Sequence, residues 1–320
     1  MFDTFNYSID MIRLYTEVNY YKLQETLDKL VYNPYCKYRE MKQINAYMHN
    51  FYISGSLPNE NEFIEIGYDN YDNEYQVSKE NSYSFWLGAR HNSKYISRDR
   101  VDVVVQFNPN KCQGSEILEY ILQNLFSENS FTRVKDIDFA IDIPYNIRDI
   151  CLKRDLKSGY RLIDNGGDDI THYMRKRGSH GHLKLYNKAR EQKKSGNLTR
   201  YEITLKIDVD LKYISDYVID MGIFPNIYIM AIDKQLDVSQ ELPIGVDKVL
   251  TMACMENPGY LKELPFRRRK KIESFLETLF HKVDFTDCQN IKNTIYEYFN
   301  TLKQLFSFYF FRHIIYNIIY

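Results

Sequence analysis

Residues Thr171–Lys206 read THYMRKRGSHGHLKLYNKAREQKKSGNLTRYEITLK. Within them, and starting one residue earlier, ITHYMRK and HLKLYNK flank the turn-forming run Gly178-Ser179-His180-Gly181, so residues 170–188 are predicted to form a β-hairpin. Leu198–Ile207 (LTRYEITLKI) alternates apolar and polar residues and predicts a further strand. Nine Lys and Arg face a single acid, Glu191, between Thr171 and Arg200. The polar face of this sheet is therefore strongly basic, a local excess able to attract a polyanion.

The same alternation recurs on either side. Val134–Ile143 (VKDIDFAIDI) places Asp136, Asp138 and Asp142 on one face and Ile137, Phe139 and Ile141 on the other. Arg100–Phe107 and Asp10–Val18 read as strands, and aromatic-rich runs between 45 and 97 add shorter ones. Tyr20–Leu30 and Ser115–Leu125 have helical spacing, with Ser115 placed to cap the second. Beyond about residue 210 the pattern turns helical, most clearly over Pro265–Phe280 and Ile291–Phe306. The expectation is an α+β protein: a central antiparallel sheet core over 1–210 and a mostly helical part over 211–320.

The 320 residues are 44% apolar, enough for a sizeable core, and the net charge is −1. Overall basicity therefore supports no nucleic-acid reading; segregation of charge does. Residues 58–80 are acidic, while 171–200 and 267–271 are basic. Five widely spaced cysteines without a CxxC pair predict free thiols in a reducing cytosol. The N-terminus lacks the features of a signal peptide, and the apolar end LFSFYFFRHIIYNIIY is interrupted by Arg312 and His313. That end falls short of the ~20 residues needed to span a bilayer, so a packed helix or a dimer contact is expected. A cytoplasmic protein without membrane partners follows.

Tyr186 lies within the basic hairpin, where Lys184, Lys188, Arg190 and Arg200 could stabilise a phenolate and a phosphate under attack. Tyr173 on the partner strand is the rival by spacing. Asp138 and Asp142 stand about 13 Å apart along their strand. That is too far to chelate one ion together, although either could do so with Glu202. His180-Gly181-His182 falls in the turn and reads as surface histidines rather than metal ligands. Arg175, Lys176 and Arg177, with Arg267, Arg268, Arg269, Lys270 and Lys271, are the remaining expected DNA contacts.

The chain resembles the Rep-trans replication initiators of rolling-circle plasmids. The resemblance is carried, in order, by VVQFNPNK (Val104–Lys111), DIDFAID (Asp136–Asp142), HLKLYNKAREQ (His182–Gln192) and LTRYEITLK (Leu198–Lys206). It implies that Tyr186 is the nucleophile that nicks one strand of double-stranded origin DNA. The protein would stay linked to the 5′ phosphate of the nicked strand, leaving a 3′ hydroxyl as primer. It also implies Mg²⁺ or Mn²⁺ held by Asp142, Glu202 and Asp138, catalytic roles for Arg200 and Lys188, a host helicase partner and a homodimer. Origin choice would lie in the C-terminal part, around Arg267–Lys271. The chain departs from the family at Gln106, where an acid is usual, at Asp136, where Arg is frequent, and at Met174-Arg175, which replaces x-Gly. A non-cleaving origin-binding initiator or DNA-binding regulator is the alternative reading.

Overall fold

A computed structural model describes residues 5–31, 36–40, 49–55, 66–68, 74–76, 83–91, 99–112, 115–126, 131–152, 159–230, 246–256, 258–285 and 288–303. The fold is α+β, as the alternating runs predict. Two compact units are each assembled from three stretches of chain. One comprises Met1–Ser8, Phe139–Lys206 and Val218–Thr294, and the other Ile9–Asp138, Ile207–Tyr217 and Ile295–Tyr320.

The second unit contains most of β1 (Asn6–Asn19), followed by α1 (Tyr20–Val31). Next come β2 (Cys36–Glu40), β3 (His49–Gly55), the small hairpin of β4 (Ile66–Tyr68) and β5 (Glu74–Gln76), β6 (Tyr83–His91) and β7 (Arg100–Phe107). Strands β1, β7, β6, β3 and β2 hydrogen bond in that order, and each neighbouring pair is antiparallel. β7 is buried over Val101–Val105 because its valines pack on both faces. α2 (Glu116–Ile121) begins where expected: the Ser115 side chain accepts a hydrogen bond from the Leu118 amide at 3.1 Å. A wider turn, Leu122–Phe126, continues it and buries Leu125 and Phe126.

β8 (Arg133–Ile143) supplies residues to both units. The first unit continues with β9 (Ile150–Leu152), β10 (Tyr160–Asp164), β11 (Ile170–Met174), β12 (Leu183–Asn187), the single turn α3 (Lys188–Glu191) and β13 (Thr199–Asp210). Its main strands run in the order β10, β11, β12, β13, β8. Leu183, Leu185, Tyr201 and Ile203 are fully buried beneath this sheet. Each aliphatic side chain so buried contributes about 1.5–3 kcal/mol, and that pins the register. A one-residue slip would turn the polar set of β12 and β13 into the core. The Tyr201 hydroxyl stays satisfied by donating to the Pro225 carbonyl at 3.2 Å.

The hairpin connection is longer than the predicted four-residue turn, running from Arg175 to His182. Arg175 adopts a positive φ of 67° and sends its guanidinium inward to the carbonyls of Gly181 (3.2 Å) and Ile223 (3.3 Å). A Cβ on Gly181 would meet that guanidinium at 1.6 Å, and the φ there is +71°, so glycine is required on both counts.

β14 (Ile227–Met230) pairs with β9 and with β15 (Phe280–Val283) in a separate antiparallel sheet of the first unit. α4 (Val246–Glu256) and α5 (Phe266–Leu279) accompany it, and Cys151, Tyr228, Cys254, Ile272 and Leu276 form a shared core cluster. A last helix occupies residues 289–303, so the C-terminal part is mainly helical. Cys112, Cys151, Cys254 and Cys288 are buried free thiols, and burial raises the pKa of Cys151 to about 12. No helix among the described residues is long and apolar enough to cross a membrane. The apolar run after residue 303 and most of the acidic 58–80 segment lie outside the described residues.

Candidate active site

The pairing of β12 with β13 sets Tyr186 opposite Arg200 and Lys184 opposite Glu202. Cross-strand partners share a face, so these four side chains lie together on the side away from Leu185 and Tyr201. The Tyr186 hydroxyl donates to Glu202 Oε2 at 3.4 Å. The Lys184 ammonium sits 3.8 Å from the centre of the Tyr186 ring, and the Lys188 ammonium lies 5.7 Å from it. Two cations therefore flank a phenol whose proton points at a carboxylate.

Arg200 forms a two-pronged ion pair with Asp142 on β8: Nε to Oδ1 at 2.6 Å and Nη2 to Oδ2 at 2.7 Å. The side chains are only 10% and 14% exposed, so the pair is desolvated and depends on its geometry. Both Asp142 oxygens are thus engaged by a guanidinium. Asp138 lies on the stretch of β8 that belongs to the second unit and is half-buried. Among the described residues, no group of three His, Cys, Asp or Glu side chains is arranged to hold a metal ion. The donor set as arranged does not fit the expected Mg²⁺ or Mn²⁺, because an arginine already supplies the countercharge to Asp142.

Glu191, which the sequence marked only as the lone acid of the segment, forms an ion pair with Lys188. Lys188 is buried and sits three residues before Glu191 on α3; that spacing was the available signal. Burial pushes the Glu191 pKa up, but the Lys188 hydrogen bond and charge, with the charges of Lys184 and Arg200, bring it below the ordinary carboxylate range. Asn187 caps this turn by accepting from the Arg190 amide at 2.9 Å. The Tyr-Asn-Lys run therefore places a nucleophile candidate, a helix cap and a cation in three successive residues.

Tyr173 pairs across from Lys184, and its ring stacks on His182 at 6.2 Å. His180 Nδ1 accepts from the Lys206 amide at 3.0 Å, so the two turn histidines serve the hairpin. Arg190 is exposed and forms an ion pair with Asp169 at 3.4 Å. Lys176 and Arg177 are exposed in the turn, whereas Arg175 is committed to backbone carbonyls. Asp247 on α4 takes up Arg268 at 3.2 Å and Lys271 at 2.7 Å from α5, where Arg269 and Lys270 approach the Phe266 ring and Arg267 is exposed.

Gln106 accepts from Arg13 Nε (3.3 Å) and Nη2 (2.6 Å), and Arg13 Nη1 reaches Asp136 at 3.1 Å. Gln106 and Asp136 are thus joined by one guanidinium within the second unit.

No family model and no curated protein matches the chain. Among solved structures it is similar to a rolling circle replication initiator protein from Geobacillus stearothermophilus. The identity is 12% and the TM-score 0.35, over 78% of this chain and 96% of that one.

Proposed function

We propose that the chain is a replication initiator that nicks origin DNA through Tyr186. The observation that carries this reading is the Tyr186 hydroxyl set 3.4 Å from Glu202 with the ammonium groups of Lys184 and Lys188 beside its ring. Glu202 takes the phenol proton as the oxygen attacks phosphorus. The phosphorus–O3′ bond breaks, the 5′ phosphate becomes a phosphotyrosyl ester, and the departing 3′ oxygen takes a proton to become the free hydroxyl. One ester is exchanged for another, so no nucleotide cofactor is consumed. Lys184 and Lys188 offset the charge that builds on the phosphoryl oxygens. Asp142 positions Arg200 beside them.

The test uses supercoiled plasmid bearing the cognate origin, with the native chain and Tyr186→Phe, in Mg²⁺, Mn²⁺ or EDTA. Denaturing gels run with and without protease reveal protein-linked ends. A nick with a 5′-attached protein, absent in Tyr186→Phe, is the expected result. Tight origin binding with no nick in any of the three buffers overturns the nickase and leaves the non-cleaving initiator.

A further inference from the structure

The polar face around Tyr186 continues to β10, the outermost strand of the first unit's main sheet among the described residues. Register places Arg161 on β10 opposite Tyr173 on β11, Tyr173 opposite Lys184 on β12, and Lys184 opposite Glu202 on β13. These four residues form one cross-strand row on the face that carries Tyr186. Glu202 stands at the inner end of the row, where it accepts from the Tyr186 hydroxyl. Arg161, at the outer end, is exposed and forms no ion pair with the described residues.

Between these ends lies an aromatic surface that the nicking step does not use. The Tyr173 ring stacks on the His182 ring, with 6.2 Å between centroids and 29° between planes. Both are half-buried, so each keeps part of its surface open to solvent. Burial, then the charges of Arg177 and Lys184, lower the His182 pKa, so this ring is neutral at neutral pH and presents a flat, uncharged surface. Arg177 is exposed in the adjoining turn and, like Arg161, forms no ion pair with the described residues. One guanidinium thus stands beside each ring of the stacked pair. On the side toward the nucleophile, the Lys184 ammonium rests over the Tyr186 ring.

We propose that this row seats the single strand at the nick: the base of a nucleotide beside the scissile phosphate lies on the Tyr173–His182 pair, and the phosphates beyond it meet Arg161 and Arg177. Two strand spacings, roughly 10 Å, separate the backbone positions of Arg161 and Lys184. That leaves room for one extended nucleotide between a cation at the scissile phosphate and a cation at the next. Stacking on an aromatic pair needs an unpaired base, so the row selects a single strand over a duplex. Every base has a π-face, so it does so without reading sequence. The strand assignment rests on the nickase reading; the row itself rests on register and exposure.

The probe is a fluorescently labelled oligothymidylate of about ten nucleotides, within the size range of single-strand sites. It is added to the full chain carrying Tyr186→Phe, in EDTA, and binding is followed by anisotropy. Tyr173→Ala is expected to weaken binding about tenfold, whereas Tyr173→Phe, which keeps the ring, preserves it. Arg161→Gln is expected to weaken it severalfold and to lower the salt slope by about 0.7. A duplex of the same length should lose little affinity in Tyr173→Ala. With 5-iodouracil in place of thymine, ultraviolet light should crosslink the strand to Tyr173 or His182, as located by mass spectrometry. Thermal melts confirm that each variant is folded. No binding by the parent chain, or binding indifferent to Tyr173→Ala or to Arg161→Gln, overturns the seat. Equal losses for single strand and duplex overturn the stacked base and leave phosphate contact alone. Nicking is read separately on the native chain, so its absence refutes the nickase without altering these binding results.

Discussion

Arg200 grips Asp142 through two short, nearly equal hydrogen bonds, 2.6 and 2.7 Å, between two side chains that are almost entirely buried. The pair ties β13, the strand that also carries the Tyr186 hydroxyl's acceptor Glu202, to β8, and it engages a carboxylate expected to hold a metal with an arginine. Removing one partner of such a pair leaves an uncompensated buried charge, which costs on the order of 3–5 kcal/mol. Asp142→Ala is therefore expected to lower the denaturant midpoint strongly. Asp142→Leu combined with Arg200→Met should recover most of that loss while abolishing nicking. A double variant as unstable as the single one would contradict this account of the pair.

Metal binding follows from the same contact. With both Asp142 oxygens accepting from Arg200, the free chain is expected to show no high-affinity Mn²⁺ site by electron paramagnetic resonance. A tight Mn²⁺ signal that disappears in Asp142→Asn would mean that Arg200 releases its partner to the ion.

The basic hairpin separates into structural and solvent-facing cations. Arg177→Ala should leave the melting temperature unchanged and reduce the salt slope of DNA binding by about 1. Arg175→Ala should do the reverse, because that guanidinium serves two backbone carbonyls at 3.2 and 3.3 Å. Fluorescence anisotropy across a salt series, alongside thermal melts, distinguishes them. Equal salt slopes for the two variants would refute the division.

Acid sensitivity should trace in part to His172. Its ring is buried, and Nδ1 shares a 2.7 Å hydrogen bond with the Tyr160 hydroxyl. Burial lowers its pKa from 6.5 to about 4, with Asp164 opposing weakly. The unfolded chain therefore binds the extra proton first. The stability due to this group is complete above about pH 6.5 and is lost as the pH falls toward 4, by on the order of 3 kcal/mol. Replacing it, as in His172→Phe, should flatten that part of the stability–pH curve measured by denaturant melts. An unchanged curve would place the sensitivity elsewhere.

The pairing of Lys188 with Glu191 gives a last expectation. Glu191→Gln should weaken the hold on Lys188 and slow nicking about tenfold, moving the acid limb of the pH–rate profile, with little change in DNA affinity. A uniform loss of binding instead would mark Glu191 as purely structural.

Sequence alone determined the strand set around Tyr186. Period-two alternation in 170–174, 183–187 and 199–207 places Leu183, Leu185, Tyr201 and Ile203 inward, which leaves Lys184, Tyr186, Arg200 and Glu202 on the opposite face. Alternation is local, and burying one face forces it, so it can be read without a structure. Partner choice is not local. That Asp142 would be spent on Arg200, that Arg175 would turn inward beneath Gly181, and that Glu191 would restrain Lys188 depended on cross-strand register and turn geometry. A polar cleft in the second unit, beside Tyr15, shows this most clearly. Its lining comes from positions 13–17, 90, 104, 131–136 and 210, far apart in the chain, and only the folded sheet gathers them. Side-chain chemistry is written in the chain, but which charge neutralises which is settled by distances that exist only once the sheet has formed.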